Sequence, residues 1–240
     1  MARTTPWVAC CLGIVAISLA CGGDTFESSL AKYGAMGMVV VGEPGCDANA
    51  IQAVIEQRID RYSAVHGAVS IHDDGIHVML SGESIDENLP PLLIQPYQLQ
   101  LIPVLTAPPP SAAGHWLADR NDPSVLLAVA DQPSLTNDDV RAAHLNADTP
   151  QPIVNLSLTE AGAATFADLT ASMIGQQLAI VVDDTLISAP FINERIAGGR
   201  VHISGMQWEE AAWLAAALNV PPLPCEVTVT YQALVPPTNP

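Results

Sequence analysis

The chain has 240 residues, 25 of them Asp or Glu and 8 Lys or Arg, for a formal charge of −17 at pH 7. Such a surface repels phosphate backbones and anionic headgroups, which argues against nucleic acid as a partner and against docking on a membrane by charge. The length suits one large domain or two small ones.

At the N-terminus Arg3 precedes an apolar run, Trp7–Ala20. The run is shorter than the roughly 20 residues a spanning helix needs, so residues 1–20 read as a secretory signal. It ends in "SLAC", which places Cys21 as in a bacterial lipobox, although Ser18 stands where a leucine is usual. Lipidation of Cys21 is the expectation, with an ordinary cleaved signal as the alternative. The lipid would then anchor an acidic protein that charge cannot hold at a membrane. Residues 21–35 are small and polar, a tether. Loss of the signal removes Cys10 and Cys11. Cys46 and Cys225 then remain, either as a disulfide in an oxidising compartment or as two separate thiols.

"MGMVVVG" (36–42) reads as a strand. Asp47 can cap a helix whose Ile51, Val54, Ile55, Ile59 and Tyr62 form one stripe. Residues 68–80 read as a hairpin turning at Asp74-Gly75. A weaker helix spans Asp86 to Gln95, and Tyr97–Leu105 is a strand. The order over 36–105 is β-α-β-β-α-β, the ferredoxin-like pattern. "APPP" (107–110) breaks the chain. Ser124–Ala130 then reads as a strand, Leu135–Leu145 as a helix capped by Thr136, and Ile153–Leu158 as a strand. Thr159 caps a helix carrying Phe166, Leu169 and Met173 that stops at Gly175. Leu178–Val182 and Leu186–Ser188 flank Asp183-Asp184. Arg200–Gly205 is a strand. The helix Gln207–Asn219 sets Trp208, Ala211, Ala212, Ala215 and Leu218 on one face, and "CEVTVTYQAL" (225–234) is the last strand.

No arrangement of residues points to catalysis, and no cofactor motif occurs. Asp183-Asp184 suits a hairpin turn, because Asp side chains bond nearby backbone N–H groups. An acid/base pair would instead need burial or a like-charge neighbour in a cleft. His72 and His77 flank the first hairpin turn and offer only two metal ligands where zinc takes three or four. No metal is expected. Gly198-Gly199 suits a bend needing positive φ or close backbone approach.

"LTEAGAATFADLT", "IGQQLAIVVDDTLISAPFINERIAGGRVHISG" and "WEEAAWLAAAL" together resemble the first periplasmic domain of the SecD/SecDF protein-export family. The family's pattern falls on Phe166, Thr170, Gly175, Asp183, Ser188-Ala189-Pro190, Ile196, Gly198-Gly199 and Ile203 to Gly205. The earlier half, with "AIQAVIEQRID", "IHVMLSG" and Arg58, is similar too, so the likeness covers about 36–232. It implies an α+β fold: a ferredoxin-like base, 36–106 plus 206–235, with an inserted α+β head, 107–205, and a tail, 236–240. It also implies a periplasm-facing envelope protein without enzymatic activity, whose partners are unfolded secreted chains or translocase subunits. A scaffold that kept the fold without export is the alternative. The family's membrane helices, which carry the groups linked to proton-driven export, have no counterpart in the sequence read, so no motor is expected within it. On this division a Cys46–Cys225 bridge would tie the two pieces of the base together. Ile187, Phe191, Ile192 and Ile196 form the expected peptide-contact surface, with filling of the head's own core as the alternative.

Overall fold

The computed structural model of the protein describes residues 32–237, apart from 63, 83–84, 86–88, 108–113 and 121. The signal, Cys21, most of the tether and the last three residues lie outside the described residues.

The first sheet is built from strands distant in sequence. It contains β1 (Ala35–Gly42), β2 (Val65–His72), β3 (Gly75–Gly82) and β13 (Val227–Val235), in the order β13-β1-β3-β2. All its pairings are antiparallel. Helix α1 (Ala48–Arg61) follows β1, and its N-cap Asp47 accepts from Asn49 N at 2.9 Å. The apolar residues of α1 repeat at helical spacing, so Ile51, Val54, Ile55 and Ile59 are all buried. They meet Met36, Met38 and Val40 of β1 and Ile76, Val78 and Leu80 of β3 in one core. The second helix of this layer is α4 (Trp208–Ala217), which leads into β13. This is the ferredoxin-like β-α-β-β-α-β unit, interrupted after β3.

The fourth strand of that unit is therefore Val227–Val235, not the Tyr97–Leu105 run that chain order suggested. β4 (Leu99–Pro103) pairs instead with β10 (Leu178–Val182) and β7 (Leu135–Thr136). Short-range order identifies a strand but not its partner, and here the partner lies some 80 residues on. The helix before β4, α2, is shorter than expected, Leu89–Ile94, with Pro90 and Pro91 inside its first turn, where a missing N–H costs little.

The remaining elements make two further bodies of strands. β10 also pairs with β11 (Thr185–Ser188), while β5 (Gly114–Ala118) and β6 (Leu126–Ala130) form a ribbon. Single bridges, Asp119–Leu186 and Val104–Val129, join the ribbon to the β11-β10-β4 sheet on both sides. The strands thereby close into a ring around Ile102, Val129, Ala179, Val181 and Leu186. Alternate residues of β4 and β10 (Leu99, Leu101, Leu178, Ile180, Val182) face the main core instead. Burial on both faces explains why Leu178–Val182 is an unbroken apolar run.

The third sheet has the order β12-β9-β8, from Arg200–Ile203, Ile153–Leu158 and Val140–Asn146. Helix α3 (Glu160–Ser172) packs on it, capped by Thr159, whose hydroxyl accepts from Gly162 N at 3.0 Å. β8 corrects the expected helix over 135–145. The cap signal is real, since Asp139 accepts from Thr136 N at 2.9 Å, but the turn it starts is a 3-10 turn that ends at Asp139. The chain then extends, and β8 finds a partner on both sides. β9 pairs along one edge, and on the other Asn219 accepts from Ala143 N (3.1 Å) and donates to Ala143 O (2.7 Å).

α4 sits between the first sheet's helix α1 and strands β8 and β9. Its buried tryptophan is Trp213, fully enclosed and stacked on Tyr62 with ring centroids 4.2 Å apart. Trp208, expected on the inner stripe, stands at the helix start and is exposed. The structure joins Cys46, just before α1, to Cys225, just before β13, with Cα atoms 6.4 Å apart. Among the described residues no helix is long and apolar enough to cross a membrane.

Candidate interaction surface

Asp183 and Asp184 both adopt left-handed φ, 48° and 59°, and form the whole of the β10–β11 turn. The Asp183 carboxylate accepts from Gln98 N at 2.8 Å and Tyr97 N at 3.2 Å, and Asp183 N donates to Gln98 O at 3.1 Å. The aspartate thus fastens a hairpin to the entrance of β4. Tyr97, itself at φ 55°, is buried, and its hydroxyl donates to Leu92 O at 2.6 Å. Burial pushes the phenol well above its usual pKa.

Arg58 joins this knot from α1. It is fully buried, and its Nη1 donates to Leu93 O (2.8 Å) and Gln95 O (2.6 Å) at the end of α2. Its guanidinium lies over the Tyr97 ring at 5.3 Å. Burial lowers its pKa to about 10, opposed by Tyr97 and Asp183. The group stays a cation at neutral pH, held by carbonyl dipoles and a ring face. Its bonds tie α1 to the α2–β4 passage.

The other motif residues shape one irregular segment, 189–199. Phe166 is core. The Thr170 hydroxyl donates to Phe166 O (2.8 Å) and accepts from Ile196 N (3.0 Å). Ser188 ends β11, and Leu178 N donates to Pro190 O at 3.1 Å. Gly199 has φ 58°, and a Cβ there would lie 2.6 Å from Ala163 Cβ on α3, so only glycine fits. Gly205 likewise has φ 91°, whereas Gly198 stands in open space.

The expected peptide-contact set divides. Ile187 and Ile192 are 5% exposed and belong to the core, and Ile196 packs on it. These three fill the protein's own interior, as the alternative reading held. Phe191 is 61% exposed. Its neighbour Ile192 is tied on both backbone groups, to Gly175 N (2.8 Å) and Gln176 O (2.9 Å), so Phe191 projects from a fixed segment. Ile174 beside that tie is exposed as well. A sharper sequence signal was available: Pro190 breaks the strand alternation, so residues after it need not keep the inward phase of Ile187.

Elsewhere, the hairpin turn between β2 and β3 is Asp73-Asp74, with Gly75 opening β3 at φ 139°. This shifts the register by one from the expected Asp74-Gly75 turn. His72 and His77 still meet, diagonally, with ring centroids 4.2 Å apart, and His77 bonds Asp74 at 2.7 Å. Among the described residues no three His, Cys, Asp or Glu side chains are arranged to hold a metal ion. A groove of about 600 Å³ lies between the end of α1, α4 and β8, lined by Arg61, Tyr62, His144, Leu145 and Trp208. A second exposed apolar group, Trp116, Val125 and Leu126, lies on the β5–β6 ribbon.

Residues 115–225 match the family described as SecDF, P1 head subdomain. Among curated relatives, the protein translocase subunit SecD of Acidaminococcus fermentans is 40% identical over 106 residues, 43% of this chain and 25% of the relative. That of Rhodobacter capsulatus is 34% identical over 171 residues, 68% of this chain and 31% of the relative. The chain thus spans about a quarter to a third of these relatives. A crystal structure of SecDF in a super-membrane-facing form superposes with TM-score 0.60 and 22% identity, over 87% of this chain and 31% of that one. A second structure, of a membrane component SecDF that enhances protein export, superposes with TM-score 0.55 and 24% identity, over 82% of this chain and 97% of that one. At such identities the structures speak to fold alone.

Proposed function

We propose, for a chain that carries a SecD/SecDF-type periplasmic domain, that it works on the periplasmic face of the cell envelope and handles polypeptide emerging from the export machinery. The observation that carries this reading is the pinned segment 189–199. The matched motif residues Thr170, Pro190 and Gly199 spend their bonds and their space on holding it, and it presents Phe191 to solvent. A fixed apolar side chain can meet extended chain weakly and reversibly, with no covalent step.

We divide the domain as the sheets do. The base is 35–82 with 208–235, and the head is the inserted part, about 89–203. The chain break at 107–110 falls inside the head on this division, because β4 pairs with the head strand β10.

Anchoring through a lipid on Cys21 belongs to the same reading and rests on "SLAC" and the polar tether. Labelling with a radioactive fatty acid marks the wild type and not Cys21→Ala; equal labelling of both would remove the anchor from the account. The handling role is tested by crosslinking in native membranes. Phe191→Ser should weaken crosslinks to a stalled secreted chain while leaving the melting temperature nearly unchanged, because Phe191 is exposed. Crosslinks to other envelope proteins, with none to the translocase or to emerging chains, would favour a scaffold that retains the fold.

A further inference from the structure

We propose that the groove between α1, α4 and β8 is a docking site for an uncharged, extended polypeptide segment, which adds as a strand to the edge of β8 at Leu145. This rests on the reading that the domain handles unfolded chain.

The edge of β8 that faces away from β9 is only partly used. In an antiparallel pair, successive residues turn their N–H and C=O alternately toward the partner strand and away from it. Ala143 turns both away from β9, since Asn219 accepts from Ala143 N at 3.1 Å and donates to Ala143 O at 2.7 Å. The Asn219 amide thus stands where a peptide group of a neighbouring strand would stand. The β8–β9 register runs without a shift from Ala143↔Leu156 to Leu145↔Val154, so Leu145 turns the same way as Ala143. Among the described residues nothing bonds the Leu145 N–H or C=O on that side. Asn219 cannot serve it, because its amide is already shared between Ala143 and Ala215 O, at 2.6 Å. A donor and an acceptor are therefore offered one step beyond the Asn219 contact, as strand addition requires.

Leu145 opens onto the groove of about 600 Å³. One face of α4 forms its long wall, with Trp208, Ala212, Ala216 and Asn219 at helical spacing. The helical rise from Trp208 to Asn219 gives that wall about 16 Å, the length of about five extended residues. The alanines leave room for the side chains of an added strand. Trp208 is 41% exposed and offers an indole face that the core does not use.

Charge narrows the occupant. The groove holds one cation, Arg61, and one carboxylate, Glu209, and neither is in an ion pair among the described residues. Arg61 stands in the last turn of α1 and Glu209 in the first turn of α4, so each is offset by the partial charge of its own helix end. His144 is exposed at the rim. On a chain of formal charge −17, this groove carries a balanced pair. A run of either charge meets a like charge at Arg61 or Glu209, whereas apolar residues alternating with small polar ones meet none.

The experiment reads the fluorescence anisotropy of labelled peptides, leucine alternating with Ser, Lys or Glu, against the full chain. The Ser peptide should bind most tightly and equally at low and high salt. The same peptide N-methylated at alternate residues, on the side that would face β8, should lose about tenfold or more, because strand addition needs those N–H groups. Trp208→Ala should weaken binding by about tenfold, as loss of an aromatic anchor does. Leu145→Pro removes the outward N–H at an edge where proline is tolerated, and should weaken binding as well. Should either variant lower the melting temperature, the N-methylated peptide decides. Unchanged binding of that peptide, or tighter and salt-sensitive binding of the Lys or Glu peptide, overturns the proposal. So does a dimer in sedimentation that Trp208→Ala dissociates, since a second copy would then fill the groove. If affinity is lost only in Phe191→Ser, the groove is rejected and the handling role stands. If no peptide binds the wild type, the groove is rejected, and crosslinking in native membranes alone decides the role.

Discussion

Two hairpins in this protein turn on the same dipeptide and use it differently. In β2–β3, Asp73-Asp74 keep ordinary φ, and the left-handed demand passes to Gly75. The Asp74 carboxylate bonds His77, three residues on in the same hairpin. In β10–β11, Asp183 and Asp184 take the left-handed conformation themselves, and the Asp183 carboxylate reaches Tyr97 and Gln98, more than 80 residues away in sequence. A left-handed non-glycine residue costs about 1–2 kcal/mol, so the second turn persists because its distant bonds outweigh that cost. The dipeptide does not decide its own conformation. Its neighbours in space do.

The sharpest break in the comparison is Asp183→Ala. It leaves two N–H groups without their carboxylate and should cost about 2–3 kcal/mol, read as a lower urea midpoint. Asp74→Ala should stay within about 0.5 kcal/mol, and equal effects at the two sites would contradict the distinction. Next comes Gly75→Ala, whose Cβ would lie 2.9 Å from Val40 O at φ 139°. It should cost about 1–2 kcal/mol, while the same change made at Gly45, where φ is 97° but space is open, isolates the purely conformational part. Asp184→Gly should act in the opposite sense and stabilise by about 0.5–1 kcal/mol, because Asp184 bears the conformation without the distant bonds.

The smallest effect is electrostatic. The hydrogen bond from His77 holds the Asp74 carboxyl below its ordinary 3.8. A depressed carboxylate contributes stability above the unfolded value, and that contribution is lost as pH falls through the folded pKa. An NMR titration of Asp74 should show the low value in the wild type and a return toward 3.8 in His77→Gln.

The same contrast separates what could be read along the chain from what could not. β1, α1, β2 and β3 are recognisable because each carries its own period and its own turn. Leu99–Pro103 is recognisable as a strand, yet nothing local tells that it belongs beside Leu178–Val182. Residues 135–145 read as a helix because Thr136 and Asp139 are a genuine cap signal, and the bond that favours extension in β8 comes from distant Asn219. Phe191 is legible as apolar but not as exposed, since its orientation follows from backbone ties at Gly175 and Gln176. Local signals located the turn at Asp183-Asp184. Only the fold shows that it fastens β4.

The Cys46–Cys225 link gives the molecule a different outline from that of its sequence. Everything between the two cysteines, the whole head included, is a covalent circle, and the rest hangs from it as two tails. A protease that cuts once anywhere on that circle opens it without releasing a fragment. Nicked protein would run as a single species on a non-reducing gel and as two after reduction. Damage to the head would then leave a cut chain still attached at the base.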